Sequence, residues 1–386
     1  MSYRSLIGGV LLALVLPAAP AVAEPDAPER APATKERAAP GLSVTKRVRG
    51  LDHPWDVKPI GGGRLLITER DSAHLIVAGR GGKRRVKFPS GRVWVSGETG
   101  LMGLEIDPGF ARNRRFYTCQ GGFRAGGGHD VRIIAWRLNR AATRARKIRT
   151  LLTGLPASSG RHGGCRLLIN RSGALVVGTG DAAVGTNPRN LDSLGGKTLR
   201  LNRMTGKPWP TNPFISGTGK RRYLMTYGHR NVQGLAQRRD GTLWSVEHGP
   251  DRDDEVNKLK AGGDYGWHPV PRYNESVQMT DSGLPGRQRG ARWRSGSPTL
   301  ATSGATFVRG SDWGGLQGAL AVACLKASRV LFLKFDSRGR LKSSRAPRAL
   351  RKYGRLRSLT RTPNGTLLIT TDGAPGGDSV LQVRAR

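Results

Sequence analysis

A short phrase recurs along this chain: a turn rich in Gly, Asn or Asp, then a run of apolar or β-branched positions, then a polar residue. It appears six times, at 61–70, 113–120, 171–181, 239–248, 316–326 and 363–372. Aligned on Leu65, Phe116, Leu175, Leu243, Leu320 and Leu367, successive copies lie 51, 59, 68, 77 and 47 residues apart. Each copy reads as a strand entered from a tight turn. The spacing fits one four-stranded antiparallel sheet per repeat, with loops of variable length. Repeats that each supply a small sheet are the mark of a β-propeller, whose blades bury their faces against one another. The pattern therefore predicts an all-β, six-bladed β-propeller. A pair of β-sandwiches is the competing architecture, but a sandwich does not require a shared phrase at the same place in every sheet. The copies end on Glu69, Gln120, Asp181, Glu247, Lys326 and Asp372. If these strands are the innermost ones, their ends converge on a polar pocket in one face.

Composition agrees with a folded chain of many turns. The 386 residues are 37% hydrophobic, and 55 Gly with 23 Pro show no three-residue period, which excludes collagen. The first 23 residues look like an export signal, with Arg4, an apolar run over 6–16 and the small residues Ala21-Val22-Ala23. Pro17 and Pro20 interrupt that run before it reaches the roughly 20 apolar residues of a spanning helix. Residues 24–41, rich in Ala, Pro, Glu and Arg, read as a flexible linker, leaving 42–386 for the propeller. The expected location is secreted or periplasmic.

Charge narrows the partners. The chain carries 65 Lys and Arg against 27 Asp and Glu, a formal net charge of +38. The cations are scattered, without an aromatic ladder or nucleic-acid motif between them. A solvated basic surface that meets anionic cell-wall polymers, and not nucleic acid, is the expectation. Cys119, Cys165 and Cys324 permit one disulfide and one free thiol in an oxidising compartment, and spacing alone does not choose the pair.

Candidate chemistry stands out in three places. Glu247, Asp251, Asp253, Asp254, Glu255 and Asp264 concentrate carboxylates in a basic chain, which points to a bound cation. Hard oxygen donors favour calcium over zinc; an acidic surface turn is the plain alternative. His162 lies in R-H-G-G-C-R-L at 161–167, a glycine-flanked loop before a strand. An exposed loop histidine suits a general base near neutral pH, although a structural or solvated histidine fits the same segment. Arg355 and Arg357, two apart on a strand, share a face and can jointly bind an anion, whereas Arg230, Asn231 and Lys326 read alone as surface residues.

A longer set of motifs carries a resemblance. L-D-H-P-W-D at 51–56, G-E-T-G-L-M-G-L-E-I-D-P-G-F at 97–110, R-H-G-G-C-R-L, and L-D-S-L-G-G-K-T-L-R-L-N at 191–202 come first. Y-G-H-R-N-V-Q-G-L at 227–235, E-H-G-P-D-R-D-D-E-V-N at 247–257, D-Y-G-W at 264–267 and G-R-L-R-S-L at 354–359 follow in order. Over 42–384 the chain resembles the soluble quinoprotein sugar dehydrogenases, six-bladed propellers that use pyrroloquinoline quinone (PQQ) and calcium. The resemblance implies that His162 removes the anomeric proton of an aldose while Asp181 orients its imidazole. It implies that Arg230 and Asn231 contact the quinone and that Lys326, Arg355 and Arg357 bind the acidic cofactor. The carbonyls of Gly249 and Pro250 would hold a calcium ion beside PQQ, and Glu255 with the carbonyl of Tyr265 a second, structural one. An external electron acceptor would reoxidise the cofactor.

Two departures accompany it. Glu98 stands where the family commonly has Gln, and a carboxylate there would repel PQQ unless protonated or paired. Cys165 replaces a small residue, and a Cys119–Cys165 bridge would join neighbouring blades. A non-enzymatic binding propeller and a calcium-dependent lactonase are the alternative functions.

Overall fold

The computed structural model describes Met1 and residues 38–386. The expected leader and most of the linker lie outside the described residues. From Leu42 to Ala385 the strands form six four-stranded antiparallel sheets. Blades one to five span 54–85, 101–155, 164–227, 232–294 and 302–345 in chain order. The sixth combines 356–385 with the N-terminal strand Leu42–Leu51, which pairs with Asp378–Ala385 from Leu42↔Ala385 to Leu51↔Asp378. Among the described residues no helix is long and apolar enough to cross a membrane.

The repeated phrase marks the second strand of each blade, not the innermost as the sequence reading supposed. The innermost strands are Pro54–Pro59, Leu101–Ile106, Gly164–Ile169, Val232–Gln237, Thr302–Phe307 and Leu356–Arg361, and each meets its neighbours around the axis. The second strand is covered on both faces by adjoining blades. Leu65–Glu69, Leu320–Cys324 and Leu367–Thr371 are accordingly buried at every residue, and such strands give the strongest apolar signal. The outermost strands show the reverse, with Gly82–Arg85 exposed throughout.

All six inner strands carry a register irregularity against the second strand near their entry, for example between Gly164 and Arg166 and between Leu356 and Leu359. A bulge re-aims the side chains beside it, here at the end of the blades where the phrase terminates. Close blade packing uses glycine: a Cβ on Gly103 would overlap the carbonyl of Cys165 in the next blade. Near the axis Arg166 of blade three crosses to Asp56 of blade one at 2.8 Å and donates to the Gln233 carbonyl of blade four at 2.8 Å. Its guanidinium lies 4.1 Å from the Trp55 ring centre.

Cys119 and Cys165 are joined, with Cα atoms 5.4 Å apart. The bridge ties the second strand of blade two to the inner strand of blade three, as expected. Cys324 is free and buried, and burial pushes its thiol up. Replacing both bridged cysteines by Ala (C119A/C165A) is expected to cost about 2–4 kcal/mol, read as a lower Tm by calorimetry. An unchanged Tm would show that blade packing alone sets this stability.

Candidate active site

Loops entering the inner strands and loops leaving the second strands open on the same face, where the six bulges lie. His162 precedes the inner strand of blade three, and Asp181 follows the second strand of the same blade. His162 sits at φ 51°, in the left-handed region, and a Cβ on Gly180 would overlap its carbonyl. The histidine is therefore locked by its backbone and is buried rather than exposed, at 3% accessibility. Asp181 Oδ1 accepts from His162 Nδ1 at 2.8 Å. That bond places the proton on Nδ1 and leaves Nε2 with the lone pair.

Asp181 is held from several sides. Its Oδ1 accepts from the Ala183 amide at 2.8 Å, and its Oδ2 accepts from Trp267 Nε1 and from the Tyr273 hydroxyl, each at 2.8 Å. The Tyr273 oxygen is also 3.0 Å from His162 Nδ1. Burial and Asp181 push the Tyr273 phenol up, so it remains a donor. Beneath the adjoining loop, Lys197 is fully buried and donates to the carbonyls of Asn187, Pro188 and Gly195 at 2.6, 2.9 and 2.6 Å. Burial pushes it down to about 7 despite Asp181 and Asp264 nearby. The three acceptors use all three N–H bonds of an ammonium.

Across the pocket the amide of Arg230 donates to Glu247 Oε2 at 2.8 Å, and Arg230 Nη1 donates to the His248 carbonyl at 3.3 Å. Its other terminal nitrogen pairs with Glu275, which also binds Arg161 at 3.2 Å. The Asn231 side chain joins blades: its Oδ1 accepts from the Gly164 amide at 3.1 Å and its Nδ2 donates to Glu98 at 3.2 Å. Glu98 takes a second donor, the His162 amide, at 3.2 Å. Its carboxylate is thus tied to the backbone of the histidine and to Asn231.

Arg357, nearly buried, pairs with Asp372 at 2.6 Å, and the exposed Arg355 approaches the same carboxylate at 3.8 Å. Burial alone would raise the Asp372 carboxyl, but Arg357, with Arg70 and Arg355, holds it below the usual range. His248 is driven far down by burial and then by Arg230, Arg357, His162 and Arg355, so it is neutral. Arg357 Nη1 also reaches Gln233 Oε1 at 3.5 Å, and Gln233 Nε2 donates to Asn231 Oδ1 at 3.3 Å, so Arg357 and Asn231 share one site. Lys326 is exposed on the loop leaving the second strand of blade five.

The carboxylates of the acidic run turn to separate partners within the fold. Asp254 accepts from the Gly249 amide at 3.0 Å and the Leu300 amide at 2.7 Å. Asp264 pairs with Arg189 at 3.0 Å. Among the described residues no three His, Cys, Asp or Glu side chains are grouped to hold a metal. Folding spends these carboxylates on backbone amides and arginines. Glu255 is buried, accepts from Thr280 at 3.0 Å and Arg294 at 3.2 Å, and is pushed up to about 8 by burial and by Glu247. The carbonyls of Gly249 and Pro250 lie on the turn beside His248, while Tyr265 stacks on His229 at 4.4 Å.

Comparison with known proteins places this geometry. Residues 51–381 match the family described as glucose/sorbosone dehydrogenase. The chain belongs to this family. As a glucose/sorbosone dehydrogenase family member it is 28% identical over 362 residues to the aldose sugar dehydrogenase YliI of Escherichia coli K12, covering 87% of this chain and 91% of that protein. The soluble aldose sugar dehydrogenase of E. coli, solved in its apo form, superposes with a TM-score of 0.79 at 26% identity over 90% of this chain and 100% of that one. The Streptomyces coelicolor aldose sugar dehydrogenase, solved with PQQ bound, gives 0.76 at 26% identity with the same coverage. The protein is a dehydrogenase of the glucose/sorbosone type. Sequence reading missed Trp267, Tyr273 and Glu275 as parts of the site. The first lies inside D-Y-G-W, but the loop bearing Tyr273 and Glu275 has no periodicity to mark it.

Proposed function

We propose that the protein is an exported, PQQ- and calcium-dependent aldose dehydrogenase that converts the anomeric carbon to a lactone. The observation that carries this is the His162–Asp181 pair, linked through Glu98, Asn231 and Gln233 to Arg357 on the face that also bears Arg230 and Arg355. Three further features fit PQQ, an acidic planar quinone. Arg230 Nε, Arg357 Nε and His248 Nε2 are buried without hydrogen-bond partners, and such donors favour a ligand rich in carboxylate and carbonyl oxygens. PQQ, when bound, supplies the acceptor for the hydride leaving C1 of the sugar.

The chain's own residues do the rest. His162 Nε2 takes the proton of the anomeric hydroxyl, and Asp181 stabilises the imidazolium that forms. Tyr273 and Trp267 keep the carboxylate in the orientation that presents Nε2 to the sugar. Arg230 and Asn231 set the cofactor against this base, with Lys326, Arg355 and Arg357 neutralising its carboxylates. Gly249 and Pro250 carbonyls would hold calcium there as a Lewis acid; Glu255 and the Tyr265 carbonyl would take the structural ion. A raised, crowded Glu255 fits a cation site because a divalent ion relieves its repulsion with Glu247.

The test is to add PQQ and calcium to the purified protein and follow dye reduction across a panel of aldoses beside a titration of PQQ absorbance. Binding with turnover of any aldose supports the reading, and failure of PQQ to bind returns the scaffold to a binding role. A lactonase would need channel carboxylates free for metal, yet Asp181 and Asp372 are engaged by His162 and Arg357. Calcium at 100 times its Kd is expected to raise stability by about 2.7 kcal/mol. A calorimetric Tm that rises with calcium, falls on chelation and responds less in Glu255→Gln checks this; an identical Tm with and without the ion refutes it.

A further inference from the structure

A groove of about 620 Å³ lies between the first and second blades, away from the His162 pocket. Lys87, Arg92, Arg144, Arg146 and Lys147 line it. Arg132, a sixth cation there, is paired with Asp130; among the described residues no carboxylate pairs with the other five. In a chain with 27 carboxylates, leaving five adjacent cations without a counter-charge costs mutual repulsion. An anionic ligand removes that cost.

Two more observations define the ligand. Lys87 bridges Arg144 in parallel, its amide donating to the Thr143 carbonyl at 2.8 Å while Ala145 donates back at 3.0 Å. An isolated bridge thereby joins the edges of both blades, and exposed Lys83, Arg84 and Arg85 precede it on the first. From Arg144 to Lys147 such a strand covers roughly 10 Å, longer than one inorganic anion. Aromatic rings line the same groove: Phe123 is 55% exposed, and half-buried Phe88 packs on Trp136 at 4.6 Å. Exposed rings beside cations suit a partner with an apolar face next to its charge.

We propose that this groove binds an acidic polysaccharide, with carboxylates on Lys87, Arg92, Arg144, Arg146 and Lys147 and the C–H faces of sugar rings on Phe88 and Phe123. The site is independent of the oxidation chemistry and would hold the enzyme on acidic glycan while the pocket stays open.

Isothermal titration of the full chain with polygalacturonate oligomers tests this, beside neutral dextran and single-stranded DNA of equal charge. The groove variant R144S/R146S/K147S is expected to bind the polyuronate about tenfold more weakly. An equal loss of charge on the fifth blade and its connection to the sixth, K342S/R348S/R351S, is expected to change it less than about twofold. Phe123→Ala should weaken polyuronate binding while aldose oxidation stays unchanged in all three variants. Equal weakening by the two triple variants, no effect of Phe123→Ala, or DNA binding as tight as polyuronate would each overturn the assignment in favour of bulk charge or nucleic acid.

Discussion

Replacing His162 by Ala is expected to lower kcat for aldose oxidation by about 10²–10⁴-fold, with PQQ affinity held to within a few-fold. The expectation rests on division of labour. Nδ1 is engaged by Asp181 at 2.8 Å, so Nε2 is the free basic nitrogen, and the arginines proposed to face the cofactor belong to other parts of the ring. Losing the imidazole removes the proton acceptor and leaves the cation cluster in place. Asp181→Asn is expected to lower kcat as well, because an amide can present its N–H to Nδ1 and so favour the tautomer with the proton on Nε2. Steady-state dye reduction at saturating PQQ, paired with a PQQ absorbance titration, separates the two effects. Turnover retained in H162A would refute the base assignment.

Arg166→Met is expected to destabilise the fold by about 3–5 kcal/mol, because it strands a buried carboxylate. Arg166 and Asp56 are 5% and 1% exposed, and their 2.8 Å pair spans blades three and one. Burial lowers the Arg166 guanidinium while Asp56 opposes that shift. Without the arginine, Asp56 keeps only the Val57 and Leu104 amides, at 2.9 and 3.3 Å. The Gln233 carbonyl loses its donor at the same time. The double variant D56N/R166M should recover much of the loss, since no unpaired charge remains. Urea midpoints for the two single variants and the double variant complete a cycle. A single-variant loss below about 1 kcal/mol would show that water reaches the axis and solvates Asp56.

Much of this architecture was legible because second strands, covered on both faces, repeat a turn followed by an apolar run. The axis was harder to find. Inner strands such as Leu356–Arg361 mix Arg357 and Ser358 with leucines and are irregular at their entry, so no clean period survives. His162 was legible through its motif, but its burial depends on the left-handed backbone and on Gly180, just past the second strand of its blade. The Cys119–Cys165 pairing was legible as a departure from the family pattern, with Cys165 in place of a small residue, since three cysteines alone leave the choice open. Tyr273 and Glu275 reach the pocket from a loop whose sequence obeys no secondary-structure period. The partners of the acidic run were not legible for a related reason: charge density along a chain does not say which backbone amides will turn toward each carboxylate.

The strand Leu42–Leu51 finds its partner, Asp378–Ala385, only at the far end of the chain. During synthesis that first strand must wait, unpaired and β-prone, until nearly everything after it has been made. The ring therefore closes last, and a chaperone that shields the early strand would raise the yield of folded enzyme. The same adjacency suits the chain to circular permutation: joining 386 to 42 by a short linker and reopening the chain between two other blades would move the waiting strand away from the chain start.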